Sequence, residues 1–438
     1  MNPPSPGSSA ELPAPADGLA RLLRRAPLPQ LSALAAAHRG GVYLVGGALR
    51  DAMLGLDAAD LDIAVESGLG DFLRSVAAAT GRSPAPIGDR WRQTHRLRWH
   101  GRQLDLALLL GPLEEDLIQR DFTVNAMALP LPAPENAVHG LVDPCGGQQD
   151  LRKRKIRCVS EAVLDADPLR LLRAVRYVAA LPGFDLDPAT EEAVAVRATR
   201  ITEAAAERIQ TEWKHLLEGD CWLAGLEMAR SLDLASRSFT AVDDLSVAHA
   251  WSKSERDPEM SDIEGTGSLL VRLAAVLAGD VGGRGPEPTC EALVARRWPT
   301  RLVRQAVQAA DWSQRVEDAD ESELVDWALL DRVAAALAAG LRQACAQSRG
   351  EPVPSSVLSL RALALRAGEG RWVRGRELRA WGMDEGPELG AVLAEVARGQ
   401  ILRRWESSEE ARDWARGRAT VSRLGAVAGA GGKKSETG

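Results

Sequence analysis

The sequence predicts an α+β protein, in which a sheet-containing head precedes all-α domains. Up to about Asp143, strand-like apolar runs alternate with helix-like segments, a pattern that favours a sheet packed against helices. From Leu151 onward, apolar residues recur at spacings of three and four and β-branched clusters are scarce, which is typical of packed helices. The chain has 438 residues, enough for roughly two to four domains.

Changes in composition predict where these domains begin and end. The N-terminus is rich in Pro and Ser, and the polar segments Trp251–Gly267 and Gly279–Thr289 predict loops between helices. We expect six segments: a disordered N-terminus 1–20, a head 21–150, a helical neck 151–220, a helical body 221–345, a helical tail 346–425 and a flexible C-terminus 426–438.

Composition also excludes several classes of protein. The chain lacks the pattern of a signal peptide and any apolar run of membrane-spanning length, so we expect a cytoplasmic protein without membrane contact. Five scattered cysteines without a CxxC pair argue against a zinc site or a disulfide framework. The net charge of −7 opposes RNA binding, but basic runs at Leu151–Arg157 and Arg371–Arg379 allow a local RNA-binding groove. The oligomeric state stays open.

The segment VYLVGGALRDAMLGLDAADLDIAVE combines a glycine pair with two aspartates. Gly46 and Gly47 follow a buried strand-like run and would let a phosphate approach the backbone, and Arg50, one turn into the next helix, would bind a phosphate oxygen. Asp60 and Asp62 are two residues apart on a second strand, so their side chains share a face and suit Mg²⁺. A glycine pair alone is often a tight turn, and DxD alone is often a solvated strand end. Their order here predicts a nucleotidyl-transfer site.

A third carboxylate, Asp105, lies in the apolar run RQLDLALLL, which predicts a strand near the one that carries Asp60 and Asp62. There Asp105 would bind metal or lower the pKa of an attacking 3′-hydroxyl. In the alternative interpretation, a neighbouring Arg96 or Arg98 neutralises Asp105. Residue spacing leaves both interpretations open.

The segment LDADPLRLLRAVRYVAAL predicts a helix with Asp167 as its N-cap and Pro168 at its first position. Arg170, Arg173 and Arg176 recur every three residues and line one broad side of this otherwise apolar helix. Such a row indicates an anionic or planar partner, and we predict that all three arginines bind nucleotide. The alternative is a solvated cationic surface.

Four motifs carry a family resemblance: GGALRD at Gly46–Asp51, DLDIA at Asp60–Ala64, RDFTVNAMAL at Arg120–Leu129 and DPLRLLRAVRY at Asp167–Tyr177. Their order and spacing, from about Gly41 to Leu217, resemble the bacterial tRNA nucleotidyltransferases and poly(A) polymerases of the polymerase-β-like superfamily. The chain departs from the family at Gln119, where a basic residue is usual, and at Ala166, where Glu is usual. The resemblance implies a polymerase-β-like nucleotidyltransferase head with a mixed sheet.

The resemblance also implies roles for individual residues. Arg120 would hold phosphate, Asp121 would accept from a ribose hydroxyl, and Asn125 would hydrogen-bond the sugar or the backbone. Asp121 and Asn125 are also common turn formers, which is the alternative. Asp167 and Arg170 would select the incoming base, because cytosine and adenine both present an amino donor beside a ring-nitrogen acceptor.

The function implied by the resemblance is template-independent addition or repair of the 3′-terminal CCA of tRNA, with Mg²⁺ as cofactor and pyrophosphate as product. The expected partners are CTP, ATP and the acceptor arm and 3′ end of tRNA. The segment Gly375–Val396 resembles the tail of CCA-adding enzymes, which favours tRNA over other RNA. The alternatives within the family are a poly(A) polymerase or an enzyme that adds only A or only CC. A non-catalytic RNA-binding module is the alternative from another class.

Overall fold

The computed structural model describes residues 14–58, 60–87, 94–239, 242, 244–255 and 268–431. The chain forms two compact units, residues 1–239 and residues 240–438. The first unit contains a β-sheet and helices, and every regular element described in the second unit is a helix. The predicted α+β class is therefore confirmed. None of the described helices is both long enough and apolar enough to cross a lipid bilayer.

The head is built from alternating helices and strands: α1 (Pro15–Leu23), α2 (Leu28–Ala37), β1 (Val42–Val45), α3 (Gly47–Met53), β2 (Asp60–Val65), α4 (Leu69–Thr80), β3 (Ala85–Ile87), β4 (Thr94–Trp99), β5 (Arg102–Leu108), α5 (Leu113–Ile118) and β6 (Ala128–Leu131). A 3₁₀ turn, Thr123–Asn125, precedes β6. The strands form one sheet in the order β3-β4-β5-β2-β1-β6. Strands β2 and β5 are parallel, and the other described neighbours are antiparallel, so the sheet is mixed as expected.

The register of this sheet places the acidic residues. Leu61 and Ile63 of β2 are buried in the core, while Asp60 and Asp62 alternate with them and face the opposite side of the strand, into a cavity, as the two-residue period of a strand requires. Asp62 lies opposite Asp105 of β5 in the parallel pair. The predicted proximity of the two strands is therefore confirmed.

The turn between β1 and α3 requires a glycine at position 46. Gly46 has φ of 78°, a conformation that residues with a side chain rarely adopt. A Cβ atom at this position would lie 3.2 Å from both Arg120 Nη1 and Asp62 Oδ2. The turn therefore brings bare backbone against two of the predicted site residues.

The rest of the first unit is mainly helical: α6 (Gly147–Lys153), β7 (Lys155–Ile156), α7 (Glu161–Ala166), α8 (Leu169–Ala180), β8 (Asp185–Leu186), α9 (Pro188–Arg197), α10 (Ala206–Glu218), α11 (Trp222–Ser231) and α12 (Leu234–Ser238). Strands β7 and β8 pair as a small parallel sheet, which the sequence did not predict. Helix α8 packs against α10 and α11. Val175, Trp213 and Trp222 of these helices are almost completely buried, and this packing fixes the side of α8 that carries the arginines.

The helices of the second unit are α13 (Ser246–Ser254), α14 (Ser268–Arg284), α15 (Pro286–Ala295), α16 (Thr300–Arg315), α17 (Glu321–Leu330), α18 (Arg332–Arg349), α19 (Ser355–Ala367), α20 (Gly375–Ala380), α21 (Pro387–Ile401) and α22 (Ser408–Gly431). Helices α14, α16, α18 and α19 pack in succession. Their facing sides are rich in buried Ala, Leu and Val, and a second apolar cluster joins α20, α21 and α22. The finer division of the chain into neck, body and tail stays a prediction.

Two predicted loops differ from the structure. Helix α13 extends to Ser254, into the predicted loop Trp251–Gly267, and residues 256–267 of that loop lie outside the described part of the chain. The predicted break Gly279–Thr289 is largely helical, because α14 continues to Arg284 and α15 begins at Pro286. Helix α14 buries apolar residues against α16, and this packing outweighs the low helix propensity of its glycines.

The predicted chain ends also differ. Helix α1 begins at Pro15, inside the segment 1–20 predicted to be disordered, because Leu19 is buried and Gly18 packs against the backbone of Ala52 in α3. Residues 1–13 lie outside the described part of the chain. At the other end, α22 runs to Gly431, into the segment 426–438 predicted to be flexible.

Candidate active site

The residues predicted to form the site line a single cavity of about 660 Å³ in the first unit. They are Gly46, Gly47, Arg50, Asp60, Asp62, Asp105, Arg120, Asp121, Asn125, Asp167, Arg170, Arg173 and Arg176. The glycine turn, β2, β5, the segment around the 3₁₀ turn and the start of α8 therefore meet at one place. The contacts of each side chain indicate which groups are available to a ligand and which hold the site together.

Asp60 and Asp62 form the acidic centre of the cavity. Both project from the same face of β2, on either side of the buried Leu61. Among the described residues, no basic side chain forms an ion pair with either carboxylate. Two neighbouring carboxylates without a cationic partner repel each other, so this arrangement favours a bound cation.

The pKa of Asp62 is raised above its ordinary value. Desolvation of the carboxyl inside the cavity contributes most, and the negative charges of Asp105 and Asp60 add to it, while Arg120 and Arg96 act in the opposite direction. A raised carboxyl pKa means that the folded state binds the proton more tightly than the unfolded state does. Ionised Asp62 therefore opposes folding above the ordinary pKa of an aspartate.

The donor set of Asp60 and Asp62 fits a divalent cation. Carboxylate oxygens are the ligands that Mg²⁺ prefers, and the mutual repulsion of these carboxylates is what a cation would relieve. In the described part of the chain, no group of three or more His, Cys, Asp or Glu residues is placed to hold a metal. The protein would thus supply two carboxylates, and the phosphates of a substrate and water would supply the remaining oxygens, as is usual for Mg²⁺ at nucleotide sites.

Asp105 is paired with Arg96 of the neighbouring strand. Arg96 Nε lies 2.8 Å from Asp105 Oδ1, and Arg96 Nη2 lies 2.7 Å from Oδ2, so the pair is bidentate. This contact favours the second of the two interpretations of Asp105, in which an arginine neutralises it. Asp105 still lines the cavity and contributes negative charge beside Asp62.

Arg50 is held in place from two sides. Its Nη1 group donates to Asn125 Oδ1 at 2.7 Å, its Nε group donates to Asp51 at 2.8 Å, and its guanidinium lies 5.2 Å from the centre of the Tyr177 ring. The side chain is largely buried. Arg50 is therefore a fixed positive charge at the wall of the cavity.

Arg120 is oriented by Asp116, a residue that the sequence analysis did not single out. Asp116 of α5 is buried, and its Oδ2 atom accepts from both Nε and Nη2 of Arg120, at 3.3 and 3.1 Å. Arg120 follows Asp116 at the i, i+4 spacing, which is the spacing of neighbours on one side of a helix. The carboxylate fixes the direction of the Arg120 guanidinium and leaves its Nη1 group near Gly46 and Asp62.

Both carboxylate oxygens of Asp121 accept hydrogen bonds from other groups of the protein. Oδ1 accepts from the backbone N–H of Phe122 at 2.8 Å and from Asn125 Nδ2 at 3.2 Å. Oδ2 accepts from Nε and Nη2 of Arg173, at 2.9 and 2.6 Å. Four hydrogen bonds fill the acceptor capacity of a carboxylate, so this arrangement leaves none for the ribose hydroxyl that was predicted.

These contacts lower the pKa of Asp121. Burial alone would raise it, but the charge of Arg173 and the hydrogen bonds from Asn125, Phe122 and Arg173 outweigh burial. A lowered carboxyl pKa stabilises the fold above the pKa of the unfolded state, and this stabilisation is lost as the pH falls through the pKa of the folded state.

Arg173→Ala is expected to lower the free energy of unfolding by about 2–3 kcal/mol at neutral pH, because it leaves the Asp121 carboxylate buried without its cation. The difference from wild type should shrink in acid, where Asp121 becomes protonated. Denaturant unfolding at several pH values measures this, with Arg200→Ala, at a half-exposed arginine whose carboxylate partners are also accessible, as the control. An equal loss at acid and neutral pH would show that the ion pair is not the cause.

Arg176 is neutralised by Glu212 of α10. Arg176 Nε lies 2.6 Å from Glu212 Oε2, and Arg173 Nη1 lies 3.7 Å from Oε1 of the same buried carboxylate. The Arg176 guanidinium lies 4.4 Å from the centre of the Tyr177 ring. Arg173 and Arg176, both predicted to bind nucleotide, are therefore engaged with protein carboxylates, which also argues against a solvated cationic surface.

Asp167 lies two residues before α8 and also contacts α10. Its Oδ1 atom accepts from the backbone N–H of Leu169 at 3.1 Å, and its Oδ2 atom accepts from Arg208 Nη2 at 2.7 Å. Pro168 has helical dihedral angles, which agrees with the predicted helix start within one residue. Arg170 Nη1 donates to the backbone carbonyls of Gln119 and Val163 at 3.1 and 3.2 Å. Both side chains are thus oriented at the cavity wall.

Three supporting residues were not predicted: Asp116, Tyr177 and Glu212. Helical spacing could have indicated two of them, because Asp116 precedes Arg120 by four residues and Tyr177 follows Arg173 by four. Glu212 lies on a different helix from Arg173 and Arg176, so no local spacing connects them.

Known protein families and individual proteins match parts of this chain. Residues 42–157 match the family model of the poly A polymerase head domain, and residues 183–245 match the probable RNA and SrmB binding site of polymerase A. The chain is 39% identical over 196 residues to the CC-adding tRNA nucleotidyltransferase of Geobacter sulfurreducens, and this alignment covers 44% of each protein. It is 39% identical over 219 residues to the A-adding tRNA nucleotidyltransferase of Deinococcus radiodurans, covering 48% of this chain and 46% of that protein. The matches thus span a little under half the length of these relatives.

The fold is also similar to solved structures over most of the chain. The Thermotoga maritima CCA-adding enzyme complexed with tRNA aligns with a TM-score of 0.65 and 20% identity, over 90% of this chain and 97% of that one. A CCA-adding enzyme in apo form aligns with a TM-score of 0.68 and 21% identity, over 90% and 95%. Over residues 42–157 and 183–245, the chain is therefore similar to the tRNA nucleotidyltransferase and poly(A) polymerase family.

Proposed function

We propose that this protein adds or repairs the 3′-terminal CCA of tRNA without a template, using CTP and ATP and releasing pyrophosphate. The observation that carries the proposal is the meeting of two groups in one cavity: the carboxylates Asp60 and Asp62, which form no ion pair with a described residue, and the oriented pair Asp167 and Arg170. The first suits phosphoryl transfer and the second suits base selection. The relatives named as CC-adding, A-adding and CCA-adding enzymes support the same reaction class.

The triphosphate would bind along the glycine turn. Gly46 and Gly47 expose backbone to the cavity, and Arg120, fixed by Asp116, places its positive charge beside them. Mg²⁺ held by Asp60 and Asp62 together with phosphate oxygens would supply Lewis-acid stabilisation of the transferred phosphoryl group. Asp60 and Asp62 thus provide fixed oxygens on a rigid strand.

Base selection would fall to Asp167 and Arg170. Each Asp167 oxygen accepts one described hydrogen bond and has capacity for a second, which an exocyclic amino group can provide. Arg170, tethered to two backbone carbonyls, would donate to the ring nitrogen of the base. Uracil and guanine would turn a carbonyl oxygen toward Asp167 and be repelled.

The same pair suits both cytosine and adenine, so a CC-adding or an A-adding enzyme would use the same residues. The equal identity of the chain to a CC-adding and an A-adding relative agrees with that view. A poly(A) polymerase remains the alternative with a different acceptor RNA.

The identity of the RNA that is extended distinguishes these functions. Purified protein should incorporate CMP or AMP into tRNA that lacks part or all of its CCA end, and much faster than it extends oligo(A) of equal length. Labelled product on sequencing gels measures both rates. Faster extension of oligo(A) would favour a poly(A) polymerase, and RNA binding without incorporation of any nucleotide would favour a binding module.

A further inference from the structure

Tyr177 of α8 lies where three arginines of the active-site cavity meet. It lines the cavity and is almost completely buried. The guanidinium carbons of Arg176, Arg50 and Arg173 lie 4.4, 5.2 and 5.9 Å from the centre of its ring. All three distances are short enough for a cation–π contact. One aromatic ring is therefore the common partner of three positive charges.

Each of the three arginines around Tyr177 also pairs with a different carboxylate. The pairs are Arg50 with Asp51, Arg173 with Asp121 and Arg176 with Glu212. Like charges gathered at one ring repel each other, and the three carboxylates offset that repulsion. The carboxylates therefore allow the three guanidinium groups to remain close to one ring.

A closed cycle of contacts connects Tyr177 with Arg50. Arg50 Nη1 donates to Asn125 Oδ1, and Asn125 Nδ2 donates to Asp121 Oδ1. Arg173 donates both to Asp121 Oδ2 and, from Nη2, to the Tyr177 hydroxyl at 3.2 Å. The contact between the Tyr177 ring and Arg50 closes the cycle. The cycle thus joins α3, the 3₁₀ turn and α8 through their side chains.

Arg50 belongs to this cycle and also lies at the glycine turn. A Cβ atom on Gly47 would lie 3.3 Å from Arg50 Nη2. Contacts with Asp51 and Asn125 engage one N–H group on each of the three guanidinium nitrogens. A guanidinium has five N–H groups, so Arg50 retains donor capacity for an oxygen of a phosphate at the glycine turn.

We propose that the ring of Tyr177 is a positioning group, which holds Arg50 in the orientation that binds the triphosphate of the incoming nucleotide. Asp51 and Asn125 hold individual nitrogens of Arg50, and the ring limits movement of the guanidinium as a whole. An arginine that is already oriented loses less conformational freedom when a phosphate binds. The choice of a nucleoside triphosphate as the ligand rests on the proposed function.

The test is a series of rings of nearly equal size at position 177, with calorimetric binding of CTP and of inorganic triphosphate in the presence of Mg²⁺. Tyr177→Phe keeps the ring and should bind both ligands within about fivefold of wild type, because only one hydrogen-bonding hydroxyl is lost. Mono-, di- and trifluorinated phenylalanine at the same position withdraw electron density from the ring face. Affinity for both ligands should fall stepwise along this series, to about tenfold below that of Tyr177→Phe.

Transfer assays separate positioning from packing. Tyr177→Leu removes the ring and should raise the KM for CTP and for ATP by the same factor, again about tenfold. The preference for CTP and ATP over UTP and the KM for tRNA should stay unchanged. A role in packing alone would lower the melting temperature of Tyr177→Leu but would produce no stepwise change among the fluorinated rings.

The control is Tyr43→Leu, at the other tyrosine of the chain, which lies on β1 outside the cavity. It should leave the affinity for inorganic triphosphate unchanged. Equal affinities along the fluorinated series would overturn the proposal, and so would tighter binding by the trifluorinated ring. Because binding is measured without transfer, a stepwise loss of affinity in a protein that transfers no nucleotide would keep the role of Tyr177 and reject the proposed function.

Discussion

Asp62→Asn is expected to reduce nucleotidyl transfer by at least about a thousandfold while leaving the melting temperature unchanged or higher. Loss of a charged oxygen at the reacting phosphate removes several kcal/mol of transition-state stabilisation, of which each 1.4 kcal/mol is about tenfold in rate. The raised pKa of Asp62 predicts that the variant is at least as stable as wild type, because the substitution removes an ionised group that opposes folding at neutral pH. Single-turnover transfer and thermal unfolding measure the two effects on the same preparation.

The matched control for this variant is Asp71→Asn, which removes the same charge from the exposed surface of α4, where Asp71 pairs with Arg74. The control should transfer nucleotide at the wild-type rate. Near-normal turnover of folded Asp62→Asn would remove Asp62 from the metal site. A large fall in its melting temperature would contradict the electrostatic account of its pKa.

Asp167→Asn is expected to reduce the preference for CTP and ATP over UTP by roughly ten- to hundredfold. The amide keeps one acceptor oxygen, which can still cap α8, but it presents an N–H donor where the carboxylate presented an acceptor. Reversal of hydrogen-bond polarity at such a contact is worth on the order of 1–3 kcal/mol. Incorporation of each nucleotide under single-turnover conditions gives the selectivity directly.

The control is Asp165→Asn, two residues earlier on α7, where the carboxylate pairs with Arg197 and Arg200 and lies outside the cavity. Its selectivity should equal that of wild type. If Asp167→Asn lost activity but kept its full preference against UTP, Asp167 would serve only as a helix cap. Base selection would then belong to other residues.

The sequence predicted the placement of the site residues better than it predicted their contacts. Periodicity is sufficient to place Asp60 and Asp62 on one face of a strand, and the apolar run around Asp105 is sufficient to predict a neighbouring strand. The role of Asp105 could not be predicted from the sequence, because its ion pair with Arg96 depends on the register between β4 and β5. Register is set by the whole sheet and not by local residue spacing.

The arginines of α8 show the same limit. Their spacing correctly indicated anionic partners, but those partners include Asp121 and Glu212 of the protein itself. The sequence predicted a break within α14 because glycines have a low helix propensity. The helix continues to Arg284 because tertiary packing stabilises it.

The most direct test of the central claim is incorporation of each of the four nucleotides into tRNAs that end at the discriminator base, at the first C and at the second C. The cavity geometry predicts that CMP, AMP or both are added to at least one of these ends, and that UMP and GMP are added at least about tenfold more slowly to all of them. Which ends are extended will identify a CCA-adding, CC-adding or A-adding enzyme. Equal use of all four nucleotides, or no incorporation by folded protein supplied with Mg²⁺, would contradict the account.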